Sequence, residues 1–220
     1  MVEHDALSAT REAYDAAAPV YAQLFSGGLR DRPLDRAILS AFAEVVSASG
    51  DGQVADLGCG PGYITAYLDE LGLAAFGVDA SPAMIKLAGQ AYPGLRFDVG
   101  SMLALDLPDG ALGGVVAWYS TIHLPDDRLP EALAEFSRVL APGGYALLAF
   151  QARDEPRHMT EALGHPISLE FHQRQPERVA ELLGQVGLMV RARLLREPDV
   201  DGDFRERTQQ AFVLAGKQAS

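Results

Sequence analysis

The sequence predicts an α/β fold built on a doubly wound parallel sheet, and three observations predict it. The nine residues Val54–Gly62, Val-Ala-Asp-Leu-Gly-Cys-Gly-Pro-Gly, read as a buried strand running into a glycine-rich turn. Apolar runs of strand length, Leu73–Val78, Leu95–Val99, Gly114–Tyr119 and Tyr145–Phe150, alternate with segments of helical periodicity. At 220 residues and 48% hydrophobic, the chain suits one domain over residues 1–220, and no repeat or low-complexity linker divides it.

From the N-terminus, Asp5–Ala18 reads as a helix interrupted near Pro19, followed by Val20, Tyr21, Leu24 and Phe25 and closed by Gly27 and Gly28. Tyr14 and Tyr21 lie close to two helical turns apart and would share a face. Leu34, Ile38, Phe42 and Val45 mark an amphipathic helix with Pro33 in its first turn, so residues 1–48 form an N-terminal helical cap. After the glycine turn, a helix carries Ile64, Leu68 and Leu71, and Ser81 caps the next one, with Pro82 in its first turn and Met84 just inside. Met84 is either core filler or cover for a flat aromatic ring. Leu133, Phe136, Val139 and Leu140 mark a further helix. Residues 151–175 break the rhythm with prolines, glycine and histidines before the short strand Ile167–Phe171, as a substrate-pocket insertion after a strand end would. Pro176–Leu183 reads as a capping helix, and Leu188–Leu195 and Gln210–Ala215 as the last strands.

The glycine turn carries the chemistry. Gly58, Gly60 and Gly62 have no Cβ, which permits positive φ and close approach of a ligand to the backbone N–H groups, and Pro61 suits the first turn of a helix. The result is a cradle for a nucleotide-like ligand at a helix N-terminus. A dinucleotide site spaces its glycines G-x-G-x-x-G, whereas this chain has G-x-G-x-G with Asp56 two residues before the first. Asp79, at the tip of the second strand, can accept from both ribose hydroxyls of an adenosine, which serves either chemistry.

The run Asp56-Leu57-Gly58-Cys59-Gly60-Pro61-Gly62, together with Gly77-Val78-Asp79-Ala80-Ser81 and the turn Leu140-Ala141-Pro142-Gly143-Gly144, closely resembles the motif set of class I S-adenosylmethionine-dependent methyltransferases. The motifs span Val54–Phe150, nearly half of the chain. The resemblance implies a Rossmann-like seven-stranded sheet of order 3-2-1-4-5-7-6 with strand 7 antiparallel, and S-adenosyl-L-methionine as cofactor. It places Gly58 and Gly60 against the methionine portion and Asp79 on the ribose. Met84 would cover one adenine face, and Ser101 with Met102 the adenine edge, Ser101 standing where the family often has an acidic residue. Asp56, Cys59, Ala80 and Tyr119 complete the expected cofactor set. Tyr14 and Tyr21 would belong to a lid over cofactor and substrate.

The stretch Trp118–Leu124 decides the acceptor class. The [DNS]-P-P-[YFW] signature of enzymes that methylate exocyclic base amines is absent, and the single cysteine, Cys59, is committed to the glycine turn. What remains resembles small-molecule O-, N- or C-methyltransferases, in which a histidine often stands at the position of His123. His123 is then a general base, an orienting group, or a structural histidine tying down its loop. A net charge of −12 and a pI of about 4.7, without a dense Lys/Arg run, disfavour nucleic acid and anionic membranes. A metal site is not expected, because His158, His165 and His172 lack the spacing of one. Without an export segment or long apolar span, the expectation is a cytoplasmic monomer or homodimer acting on a small molecule, possessing no disulfide. The alternatives are a nucleotide-dependent oxidoreductase, which the glycine spacing and the L-A-P-G-G turn oppose, and a non-catalytic cofactor-binding partner protein.

Overall fold

The structure is a computed structural model that describes residues 3–24, 27–50, 52–153, 157–162, 165–200 and 206–219, with side chains described for all of these except 3–7, 19–24 and 157–169. In chain order the elements are α1 (Glu3–Leu24), α2 (Pro33–Ser49), β1 (Gln53–Leu57), α3 (Tyr63–Glu70), β2 (Ala75–Asp79), α4 (Pro82–Ala91), β3 (Arg96–Val99) and β4 (Leu112–Trp118). They continue with α5 (Leu129–Val139), β5 (Leu140–Ala152), β6 (Arg157–Ala162), β7 (His165–Phe171), α6 (Pro176–Gln185), β8 (Leu188–Arg196) and β9 (Gln209–Lys217). The main sheet has the order β3-β2-β1-β4-β5-β9-β8. Its first five strands pair in parallel, and β9 is antiparallel to both β5 and β8. With the β6–β7 hairpin set aside, this is the expected 3-2-1-4-5-7-6 order.

Strands buried on both faces must read as continuous apolar runs. In β1 the residues Val54 to Leu57 are all buried, and in β4 so are Val115, Val116 and Ala117. One face packs against Leu39, Phe42 and Val46 of α2 and Ile64 and Leu68 of α3, through Val54, Val116, Leu147 and Phe212. The other packs against Leu133 and Phe136 of α5 and Leu182 and Leu183 of α6, through Val115, Ala117 and Leu148. Parallel topology carries the ends of β1, β2, β3, β4 and β5 to one edge, where ligands of such sheets bind. No helix among the described residues is long and apolar enough to cross a membrane.

Four expectations need correction. First, α1 runs unbroken through Pro19, although proline inside a helix costs about 3 kcal/mol. Its packing on α4 and β7 holds it together where local propensity would break it. Second, the buried stripe of α2 is Asp35, Leu39, Phe42, Ala43 and Val46, while Leu34 is 52% exposed. Third, α3 begins at Tyr63, so Pro61 lies in the turn, and Gly62 is the N-cap in left-handed conformation. Fourth, residues expected to be irregular form the hairpin β6–β7, with Pro166 opposite Glu161. A two-stranded hairpin consists of edges, so a missing N–H there breaks no inner ladder.

Candidate cofactor and active site

The three glycines of the turn take φ values of +74° (Gly58), +52° (Gly60) and +86° (Gly62), a region closed to most side chains. Gly58 is constrained twice, because a Cβ there would also overlap the side chain of Ser120. The Ser120 hydroxyl donates to the Leu57 carbonyl at 2.6 Å and so clamps the end of β1 to the segment leaving β4.

The turn spends its donors internally, contrary to the expectation that they are offered to a ligand. Gly58 and Cys59 N–H both donate to the Val78 carbonyl (2.7 and 3.1 Å), Gly62 N–H to the Cys59 carbonyl (3.0 Å), and Gly60 N–H to Asp79 Oδ2 (2.8 Å). The other carboxylate oxygen of Asp79 accepts from Ser81 N–H at 2.8 Å. Burial pushes the Asp79 carboxyl up from its ordinary range, and the two N–H donors oppose that rise. The glycines therefore provide shape and close approach, while Asp79 pins the turn to β2.

Asp56 is fully buried at the foot of the turn. Its Oδ2 accepts from the Thr65 hydroxyl at 2.7 Å, and its Oδ1 has no hydrogen-bond partner among the described residues. Desolvation dominates and pushes its pKa up to about 7. Burial likewise raises the Cys59 thiol, whose sulfur lies against the turn.

One cavity opens at this edge. Its lining includes Tyr14, Asp56, Gly58, Cys59, Gly60, Asp79, Ala80, Met84, Ser101, Met102, Tyr119 and His123, which are the sequence-predicted site residues apart from Tyr21, whose side chain lies outside the described ones. Met84 forms a buried apolar wall, and Ser81 caps α4 by accepting from Met84 N–H at 3.1 Å. Ser101 Oγ accepts from Leu103 N–H at 3.2 Å and so shapes the turn after β3. Among the described residues no group of three or more His, Cys, Asp or Glu is placed to hold a metal ion; the side chains of His158 and His165 fall outside them.

Two residues leaving β4 depart from simple expectation. Tyr119 adopts φ +52°, the only described non-glycine residue with positive φ, at a cost on the order of 1–3 kcal/mol. Its ring meets Trp118 and Phe212 edge-on at 5.8 and 6.5 Å, and its buried hydroxyl lies in the field of Asp35 and Arg196. Burial, then Asp35, hold the phenol protonated. Tyr119 lines the cavity, and its ring also packs on the α2 side of the sheet.

His123 ends a 3₁₀ turn, Thr121–His123. Its Nδ1 lies 3.2 Å from the Glu170 carbonyl, which can only accept, so Nδ1 carries the proton and Nε2 accepts from the Tyr14 hydroxyl at 2.6 Å. Tyr14 and Phe171 flank the imidazole at ring distances of 5.1 and 4.9 Å. Burial pushes its pKa down to about 4, the Glu170 carbonyl opposing and the charges of His172 and Arg174 assisting. His123 is neutral at physiological pH.

Sequence reasoning missed several residues that build the site. Arg174, 6% exposed, donates to the carbonyls of Thr121, Leu124 and His172 and pairs with Asp126 at 2.9 Å, tying the His123 turn to the chain before α6. Thr10 and Arg11 line the cavity from α1. Asp15 accepts from the Ser81 hydroxyl at 2.5 Å and from Ala83 N–H at 3.2 Å. None of these carries a local signal, because each partner lies far away in sequence or on the backbone.

A model of the methyltransferase domain family matches residues 54–144. The chain is 38% identical over 135 residues to a trans-aconitate 2-methyltransferase of Escherichia coli, covering 60% of this chain and 51% of that one. It is 28% identical over 141 residues to an uncharacterized methyltransferase of Geobacillus kaustophilus, covering 62% and 66%. The chain thus spans about half to two thirds of the length of these curated relatives. Its fold is shared by the 1,6-didemethyltoxoflavin-N1-methyltransferase of Burkholderia thailandensis, solved with 1,6-didemethyltoxoflavin and S-adenosylhomocysteine. That likeness has a TM-score of 0.71 at 19% identity, over 98% of this chain and 90% of that one.

Proposed function

We propose, on the premise that the chain belongs to the class I S-adenosylmethionine-dependent methyltransferases, that it transfers a methyl group from S-adenosylmethionine to a small-molecule acceptor. The observation that carries this reading is the buried Asp56 Oδ1, an acceptor without a hydrogen-bond partner among the described residues, in the wall of a cavity that Gly58 and Gly60 also line. A group with an ammonium end and an adenosine end fits the residues present. Asp56 would take the ammonium, Asp79 would accept from ribose hydroxyls with lone pairs left over from Gly60 and Ser81, and Met84 and Ala80 would wall the adenine.

When bound, the cofactor supplies a methyl group already activated by its sulfonium. The chain's own residues align the acceptor and exclude water, effects worth up to roughly 7–11 kcal/mol in well-oriented systems. Tyr14 and His123 stand at the β4 side of the cavity as one hydrogen-bonded unit. Because His123 Nε2 already accepts a hydrogen bond from the Tyr14 hydroxyl and the ring is neutral, His123 acts by orienting Tyr14 rather than as a general base. Such a site suits an acceptor whose nucleophilic atom is unprotonated near neutral pH, which needs no proton removed.

The solved neighbour carrying 1,6-didemethyltoxoflavin and the charge of −12 support a small-molecule acceptor over nucleic acid. The test is calorimetric titration with S-adenosylhomocysteine, followed by an assay of S-adenosylhomocysteine release with carboxylates, amines and phenols as acceptors. Micromolar binding and turnover with a small molecule are expected. No binding would overturn the cofactor assignment, and binding without turnover on any acceptor class would favour a cofactor-binding partner protein.

A further inference from the structure

Tyr14 and Asp15 are adjacent on α1 and reach opposite sides of the cavity. Tyr14 bonds to His123 beyond β4, and Asp15 bonds to Ser81 and Ala83 beyond β2. Successive helical residues point about 100° apart, so one helical turn can be fastened at both flanks of an opening. Thr10 and Arg11, one turn earlier, line the same cavity.

Ser81 is the meeting point. Its N–H donates to Asp79 Oδ1, its hydroxyl donates to Asp15 Oδ1, and its oxygen accepts from Met84 N–H. Two carboxylates from distant parts of the chain thus converge on one serine at the start of α4, where the exposed N–H groups and the helix dipole favour negative charge. Asp15 supplies α4 with a capping acceptor from outside that helix, through Ala83 N–H. Asp79 is thus linked to Ser81 through the Ser81 N–H, and Ser81 to Asp15 through its hydroxyl.

We propose that Asp15 is a positioning residue that fastens α1 across the cavity, and that Ser81 couples this closure to Asp79, so that cofactor on Asp79 and a closed α1 stabilise one another. This rests on the cofactor reading above. Ligand engaged on Asp79 orders the Ser81 backbone, the ordered Ser81 presents its hydroxyl to Asp15, and α1 then holds Tyr14 against His123. By linkage, a fastened α1 must raise the affinity for the cofactor by the same factor by which the cofactor favours the fastened α1.

The experiment uses the full chain with S-adenosylhomocysteine as probe. It compares the natural sequence with Asp15→Ala, Asp15→Asn and, as a control on the same helix, Glu12→Ala. Amide hydrogen exchange over residues 3–24 is measured with and without probe, and probe dissociation by stopped flow. In the natural chain and in Glu12→Ala, the probe should slow exchange in α1. In Asp15→Ala that added protection should fall about tenfold and the probe should leave about tenfold faster, while Asp15→Asn, which keeps an acceptor oxygen, recovers part of both. Probe-induced protection of α1 in Asp15→Ala equal to that of the natural chain would overturn the proposal. So would a loss of α1 protection in Asp15→Ala that is the same with and without probe, since Asp15 would then be ordinary packing. Failure of the natural chain to bind the probe would instead defeat the cofactor reading, before any variant is compared.

Discussion

The Tyr14 hydroxyl and His123 Nε2 lie 2.6 Å apart across 109 positions of sequence, and the Glu170 carbonyl on the other ring nitrogen fixes which of the two donates. A pair that works as a unit loses its effect when either member is removed. Tyr14→Phe and His123→Ala should each lower kcat about ten- to thirtyfold, the loss of a hydrogen bond worth roughly 1–2 kcal/mol, and the double variant should fall no further. Steady-state kinetics of the four proteins test this. Additive losses would mean that the two residues act separately.

His123 and Asp56 give stability opposite slopes with pH. His123 is held down to about 4 from 6.5, so between these values the unfolded chain binds the extra proton and stability rises with pH. Asp56 is held up to about 7 from 3.8, so the folded chain binds the extra proton and stability falls as pH rises through that range. In cofactor-free protein, His123→Gln should flatten the acid limb of a plot of Tm against pH. Asp56→Asn should raise Tm most above pH 7. Scanning calorimetry from pH 4.5 to 8.5 separates the two.

An ammonium placed against Asp56 Oδ1 would favour the carboxylate form. Affinity for S-adenosylhomocysteine should therefore rise between pH 5.5 and 7.5, with a proton released on binding, visible as heats that depend on the buffer's ionisation enthalpy. Asp56→Asn should abolish the proton release. Asp79→Ala should weaken binding by about 1–3 kcal/mol, because it removes the acceptor of the ribose hydrogen bonds.

Gly58→Ala brings a Cβ into Ser120 at a φ of +74°. The variant should lose cofactor binding and about 2–4 kcal/mol of stability, the combined cost of overlap and left-handed strain. Adding Ser120→Gly removes the overlap but leaves the strain, so it should restore part of the stability. Full restoration, measured by urea unfolding, would show that backbone strain at Gly58 is negligible.

What could be read from the sequence was what is local. The apolar run before Gly58, the glycines that had to be left-handed, Asp79 at the end of β2 and the Ser81 cap are each specified within a few residues. The face of α2 was read one position off because apolar spacing cannot register a buried carboxylate. Asp35 turns inward to meet Arg196 at 3.5 Å and Arg32 at 3.9 Å, both of which also pair with Glu206. Tyr119, expected as a cofactor contact from its place after β4, lines the cavity, and what its place in sequence does not show is the positive φ that brings its ring to Phe212. The helix break at Pro19 did not occur because α4 and β7, distant in sequence, hold α1.

The β6–β7 hairpin pairs as a separate two-stranded sheet, between a strand and a helix that belong to the main framework. Its backbone nevertheless meets the site, through the Glu170 carbonyl on His123 and the contact of β7 with α1. The hairpin and the glycine turn are thereby separate units that can be exchanged one at a time. Grafting a hairpin of different length and polarity between Ala152 and His172 would disturb no rung of the seven-stranded ladder, so long as a carbonyl is returned to His123. For an evolving lineage or an engineer, the segment is a replaceable cartridge: new surroundings for His123 can be explored there while the glycine turn and Asp79 are inherited unchanged.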